Sequence, residues 1–181
     1  MTISGTAGTG KSTEAKILAE RLGLRYVSAG QIFRKLAEEH GMSLEEFSKF
    51  VEEHPEIDEE IDKRTAEEAE KGNVIIEGRL AAWFARKYNP FNIRLICPLD
   101  IVVERISKRD NVPLDVARRE TVAREESAKK RYKKLYGIDL DDMSIYDLVL
   151  NTAIFDIEST ANILETAIKE YIRVVEKKAG N

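Results

Sequence analysis

Short apolar stretches alternate along this chain with longer amphipathic ones, the order that βαβ units around a parallel sheet require. The short stretches are Thr2-Ile3-Ser4, Leu24-Arg25-Tyr26-Val27, Val74-Ile75-Ile76-Glu77, Ile93 to Cys97, and Asp147-Leu148-Val149-Leu150. From Lys11 to Leu22 apolar residues recur at Ala15, Leu18, Ala19 and Leu22, the spacing of one helical face. Ser43-Leu44-Glu45-Glu46 reads as a capping box opening a helix that Pro55 should end. A further helix is expected from about Glu56 to Lys71, with Gly72-Asn73 turning the chain into the third strand. Ile101 to Arg109 continues the pattern, and Pro113 opens a long charged helix that Gly137 stops after Tyr136. Glu158 to Lys177 closes the chain with a stripe at Ala161, Leu164, Ala167, Ile168 and Ile172. The pattern predicts an α/β fold, and 181 residues suit a single domain, 1–181.

Between the first short strand and the first helix lies Gly5-Thr6-Ala7-Gly8-Thr9-Gly10-Lys11-Ser12, followed by Thr13, which matches G-x-x-x-x-G-K-[ST] at each fixed position. Glycines let the backbone curl through positive φ, so that successive N–H groups converge on a β-phosphate. The helix that follows adds its positive N-terminal end. Lys11 would bridge the β- and γ-phosphates of ATP, and the Ser12 hydroxyl would ligate Mg²⁺. The motif by itself does not separate a kinase from a GTPase or an ATP-driven machine.

Net charge narrows the partners. At −4, with a pI near 5.5, nothing global recruits nucleic acid or an anionic membrane. No apolar run approaches the roughly 20 residues that span a bilayer. The chain enters a strand almost at once, without a basic flank or apolar signal region, which leads us to expect a cytoplasmic protein. The lone Cys97 cannot form an internal disulfide and reads as a buried, inert thiol at a strand end. His40 and His54 fall in glutamate-rich helices and read as solvated, with no metal cluster; Trp83 and Phe84 read as core.

The remaining length is spent on two helical insertions, each a plausible cover for one substrate. The first spans residues 30 to 73. It is entered through Ser28-Ala29-Gly30, a small-residue turn at a strand's carboxyl edge, where Arg34 could reach a phosphate dianion one turn into the helix. The third strand delivers Glu77-Gly78-Arg79 to the same edge, where ligands of open α/β sheets bind. Glu77 can hold a water of the Mg²⁺ shell, and Arg79 can grip an acceptor phosphate with two parallel hydrogen bonds. The second insertion, residues 110 to 139, carries Arg124 and Arg131 seven apart and hence on one helical face, among Lys129, Lys130, Lys133 and Lys134. Such a helix could close over a triphosphate as a lid, with Lys11, Arg79, Arg124 and Arg131 as the catalytic cations.

At these residues the chain resembles the nucleoside monophosphate kinases, and within them the archaeal-type cytidylate kinases, over essentially its whole length. Beyond the widely shared phosphate loop, the resemblance rests on Ser28-Ala29-Gly30-x-Ile32-Phe33-Arg34, on Glu52 to Asp62, on Glu77-Gly78-Arg79-Leu80-Ala81 and on Arg124-Glu125-Glu126-Ser127. Arg131-Tyr132, Tyr136-Gly137-Ile138-Asp139 and Tyr146 to Thr152 extend it. Many relatives carry an acidic residue where Gln31 stands, and many archaeal ones a Thr in place of Lys11. The resemblance implies a P-loop NTPase-type three-layer αβα fold with a five-stranded parallel sheet, an NMP-binding insertion and a lid. It implies the reaction ATP + (d)CMP ⇌ ADP + (d)CDP, with nucleotides as the ligands; we expect a monomer. Arg34 and Arg79 are then acceptor-phosphate ligands, and Arg124 and Arg131 lid arginines. Adenylate kinase, a kinase of another small metabolite, and a nucleotide-dependent RNA-associated regulator using the basic helix stay open at this point.

Overall fold

The computed structural model describes residues 1–88 and 90–179. Five parallel strands, β1 (Thr2–Ser4), β2 (Arg25–Ser28), β3 (Val74–Glu77), β4 (Asn92–Ile96) and β5 (Leu148–Asn151), form one sheet in the order β2-β3-β1-β4-β5. The helices are α1 (Lys11–Leu22), α2 (Ala29–Glu39), α3 (Leu44–Glu53), α4 (Pro55–Glu70), α5 (Ala81–Ala85), α6 (Leu99–Asp110), α7 (Leu114–Tyr136) and α8 (Ile157–Ala179). The central strand β1 pairs Ile3 with Glu77 of β3 on one side and with Ile93 of β4 on the other. The chain builds outward from β1 in both directions, so a crevice opens at the carboxyl edge where the order reverses.

Both sheet faces are covered, giving three layers. On one, Ile3, Ile75, Ile93 and Leu95 pack against Leu18 of α1 and Leu164 of α8, all withdrawn from solvent. On the other, Val74 and Ile76 meet Ala81 of α5, and a neighbouring cluster joins Leu80 to Ala128 and Tyr132 of α7. No helix among the described residues is long and apolar enough to cross a membrane.

Local signals set most element ends. Ser43 Oγ accepts from Glu46 N–H at 3.2 Å and Glu46 Oε2 accepts from Ser43 N–H at 2.8 Å, closing both halves of the capping box of α3. The helix opened by Ser43 does stop ahead of Pro55, at Glu53, and Pro55 is the first residue of α4, where its missing N–H is harmless. Strand limits shift by one residue where side chains compete. Asp147 stays outside β5 because its carboxylate accepts the Asn92 N–H at 2.7 Å, and Cys97 lies just past β4, half-buried against the Val102–Ile106 side of α6. The five-residue α5 has no periodicity to announce it, and none was expected there.

Candidate active site

The carboxyl ends of β1, β2 and β3 converge on a cavity of about 580 Å³. Its floor is the loop from Gly5 to Gly10. Gly5 holds φ 152°, and a Cβ there would stand 2.4 Å from the Leu95 carbonyl oxygen, so only glycine fits. Gly8 and Gly10 also take positive φ, 75° and 90°. Within the loop, Thr9 Oγ1 donates to the Thr6 carbonyl at 2.9 Å. No side chain caps the start of α1, which leaves the first-turn N–H groups of Lys11 and Ser12 available to a ligand, while the Thr13 N–H donates to the Gly10 carbonyl at 3.0 Å. Lys11 Nζ folds back onto the Thr6 carbonyl at 2.6 Å.

Glu77, at the end of β3 and 3% exposed, ties three elements together. Its Oε2 accepts from Ser12 Oγ at 3.1 Å, from Tyr26 OH at 3.3 Å and from Ser28 Oγ, and its Oε1 lies 4.0 Å from Lys11 Nζ. Ser28 also caps α2 by accepting from the Gln31 N–H. Gly78 brings the end of β3 close to α2, since a Cβ there would meet Ala29 Cβ at 3.0 Å, whereas a Cβ on Gly30 would meet only side chains, none nearer than 3.8 Å. Gln31 itself lines the cavity through an exposed side chain.

Arg34, Arg79 and Arg124 face the cavity together with Lys11. Arg79 pairs with Glu125, whose Oε1 also accepts the Ala7 N–H at 3.4 Å. The Nε atoms of Arg79 and Arg124 are buried without a hydrogen-bond partner among the described residues. Burial pushes the Lys11 ammonium down to about 8, against the opposing pull of Glu77. Burial, then repulsion from Arg79, lowers Arg124 to about 10. Glu125 is buried too, yet Arg79 and the Ala7 amide hold it below the usual carboxylate range. Seven basic residues line this cavity, Lys16, Arg105 and Arg109 besides the four named, and two of them have unanswered N–H groups, which fits a polyanion. Among the described residues no cluster of three or more His, Cys, Asp or Glu could hold a metal alone. The hydroxyl and carboxylate of Ser12 and Glu77 do suit Mg²⁺ that keeps waters and shares a phosphate.

Arg131 sits elsewhere. It is 6% exposed, with Nε donating to Asp58 Oδ2 at 2.8 Å and Nη1 to Ser48 O and Ser127 Oγ. It does not border the large cavity; with Arg124 it borders a smaller one of about 70 Å³. The other basic residues of α7 do not converge: Lys129 pairs with Asp141 and Lys130 with Glu52, both on the surface. His40 is exposed and His54 half-buried, and neither is merely solvated, since both rings pack on Phe50, His54 at 4.0 Å between centroids. Trp83 and Phe84 pack with Tyr146 and Tyr136 and border neither cavity.

Residues that the sequence pattern did not single out also meet here. Arg105 of α6 donates to the Gly8 carbonyl at 3.4 Å and to Thr152, whose Oγ1 donates to the Thr9 carbonyl at 3.0 Å, bracing the loop from outside. Asp58 and Asp62 line the smaller cavity. Asp58 and Asp62 fall in the stretch Glu52 to Asp62 that carries part of the resemblance, but as two of many charges there, and Arg105 lies outside every motif.

Comparison with known proteins adds sequence relatives over most of the chain. The family described as cytidylate kinase-like matches residues 1–154. A cytidylate kinase of Methanocaldococcus jannaschii is 53% identical over 171 residues, covering 93% of this chain and 96% of that protein. One of Pyrococcus horikoshii is 47% identical over 168 residues, covering 93% and 87%. Solved structures share the fold at low identity. An uncharacterised protein of Eubacterium ventriosum superposes with a TM-score of 0.70 at 16% identity, covering 93% of this chain and 96% of that one. Shikimate kinase of Bacteroides thetaiotaomicron reaches 0.59 at 17%, with the same coverage.

Proposed function

The chain belongs to the cytidylate kinase-like family, and from that premise we propose that it transfers the γ-phosphoryl group of ATP to CMP or dCMP, yielding CDP or dCDP. It is a phosphotransferase. The observation that carries the reading is the convergence of Lys11, Arg34, Arg79 and Arg124 on one cavity at the end of the glycine loop. Phosphoryl transfer asks little covalent chemistry of a protein, so placement, charge neutralisation and exclusion of water do the catalysis.

The residues divide that work. The loop 5–10, Lys11, Ser12 and Thr13 hold the β- and γ-phosphates of the donor. Arg34 and Arg79 hold the acceptor phosphate, with Ser28, Gly30 and Gly78 allowing close approach. Arg124, already desolvated, faces the phosphoryl group in transit. Ser12 would ligate Mg²⁺ and Glu77 would hold one of its waters; bound there, the ion neutralises charge on the phosphate oxygens. Glu125 occupies Arg79 and the Ala7 amide until phosphates compete for both. Residues 30 to 73 act as the acceptor cover and 110 to 139 as the lid. No residue needs to act as general base.

We place the enzyme in the cytoplasm, where its nucleotides are, acting as a monomer without nucleic-acid or membrane partners. The acidic net charge supports that partner reading. The adenylate-kinase and RNA-associated readings are not favoured, given relatives named cytidylate kinase over nearly the whole chain. The test is direct: ATP and CMP incubated with the protein should give CDP, and chelation with EDTA should abolish it. No CDP in the presence of Mg²⁺ would overturn the proposal.

A further inference from the structure

The large cavity has an annex. A second cavity of about 70 Å³ shares Gly30, Arg34, Arg79 and Arg124 with it and runs on between α2, α4 and α7. If the acceptor phosphate rests on Arg34 and Arg79, as proposed above, the remainder of that nucleotide must extend away from Lys11. The annex is the space in that direction.

Its far wall holds an acceptor and a donor, on side chains held in place by other contacts. Asp62 is 7% exposed, and one carboxylate oxygen accepts from Tyr136 OH at 2.8 Å. Among the described residues no hydrogen bond reaches its other oxygen. Arg131 spends Nε on Asp58 and Nη1 on Ser48 and Ser127, which locks the guanidinium plane. Its Nη2 has no protein acceptor among the described residues. Each side chain is otherwise withdrawn from solvent and keeps one polar edge open at the cavity, where a ligand can complete it. Burial, with Asp58 nearby, pushes the Asp62 carboxyl up to about 7, a sign that the fold leaves its charge poorly compensated.

We propose that Asp62 and Arg131 read the base of the acceptor, the Asp62 carboxylate accepting from the exocyclic amino group of cytosine and Arg131 Nη2 donating to ring N3 or O2. The inference rests on the kinase reading above and deepens it. Along this edge cytosine presents a donor, the N4 amino group, followed by the acceptors N3 and O2; uracil presents the O4 carbonyl and the N3–H in the first two places and the same O2 in the third. Against Asp62, uracil would set acceptor against acceptor, and where Arg131 meets N3 it would set donor against donor; O2 is common to both bases, so the Asp62 contact carries the discrimination. Asp58 does not touch the base in this account; it positions Arg131.

The test compares kcat/KM for CMP and UMP at pH 8, where Asp62 is ionised, in wild type and Asp62→Asn. The amide is nearly isosteric, can still accept from Tyr136 and can donate to the uracil carbonyl. The CMP:UMP ratio should fall by at least about tenfold, chiefly through KM for CMP, with KM for ATP unchanged. A structural role would lower both acceptors alike and leave the ratio intact, and that result would overturn the proposal. A second measurement depends on no variant. The 4-desamino analogue of CMP should lose about tenfold or more with the wild-type enzyme, whereas equal turnover of the two would also overturn it. The parent reading fails differently, by absence of any pyrimidine turnover in wild type; a wild type that prefers CMP while Asp62→Asn keeps the same ratio sinks only the assignment of Asp62.

Discussion

Arg131 donates from Nε to Oδ2 of Asp58 at 2.8 Å, with the two side chains only 5% and 3% exposed. The bond joins α7 to α4, and Arg131 Nη1 adds the Ser48 carbonyl of α3. Removing one partner strands the other charge away from water. Arg131→Ala should therefore destabilise the fold by about 3–5 kcal/mol, whereas replacing both residues with leucine should restore much of that loss. Thermal melting of the two variants checks it. A single variant that melts like wild type would mean that the pair does not hold α7 in place.

Lys11→Ala should lower kcat/KM by at least roughly a hundredfold with circular dichroism unchanged, since a charge-stabilising donor is worth on the order of 3 kcal/mol at the transition state. A pH effect accompanies it. The free enzyme's Lys11 titrates near 8, and the triphosphate needs its ammonium form. ATP affinity should then fall by up to about tenfold per pH unit above that value, and ATP binding near pH 9 should take up a proton. Calorimetry in buffers of differing ionisation enthalpy measures the uptake; none would move Lys11 away from the phosphates.

Arg79→Ala should raise KM for the monophosphate far more than KM for ATP. Arg79→Lys should rescue only in part, because an ammonium lacks the planar pair of donors. Steady-state kinetics with each substrate varied in turn decides the matter. An equal rise in both constants would shift Arg79 to the donor side or to a structural role beside Glu125.

The contrast among these residues shows what was legible before folding. The glycine loop, the strands and the capping box were visible because each is local: residue type and short spacing determine it. Glu77 and Arg79 were visible because they end a strand at the ligand-binding edge. The partnership of Arg131 with Asp58 was not, because 73 residues separate them and both lie in helices dense with charge. In such helices a buried carboxylate and a solvated one carry the same sequence signature. Asp62 stayed hidden for the same reason, and Glu125 read as one of several charges diluting the basic helix. The missed helix α5 is too short for a periodic signal.

Asp62 also makes a stability prediction with a definite sign. Its carboxyl is raised from 3.8 to about 7 in the fold, so between those values the native state binds more protons than the unfolded one. Stability from this group therefore declines as pH rises from about 4 to 7. Asp62→Asn removes the charged form, and should stabilise the protein by roughly 1–3 kcal/mol at pH 8 while differing little from wild type near pH 5. Denaturant melts at the two pH values test this; an Asn variant less stable at pH 8 than at pH 5, relative to wild type, would contradict it.

The central claim concerns which acceptor the enzyme takes. It is tested most directly by kcat/KM for CMP, dCMP, UMP and AMP, measured side by side at one fixed ATP concentration with Mg²⁺. CMP and dCMP should lead, with UMP lower by roughly ten- to a hundredfold, the cost of about 1–3 kcal/mol for one buried hydrogen-bond mismatch. AMP should be poor, because the narrow annex bordered by Asp62 and Arg131 has to receive the base. A preference for AMP would contradict the cytidylate assignment.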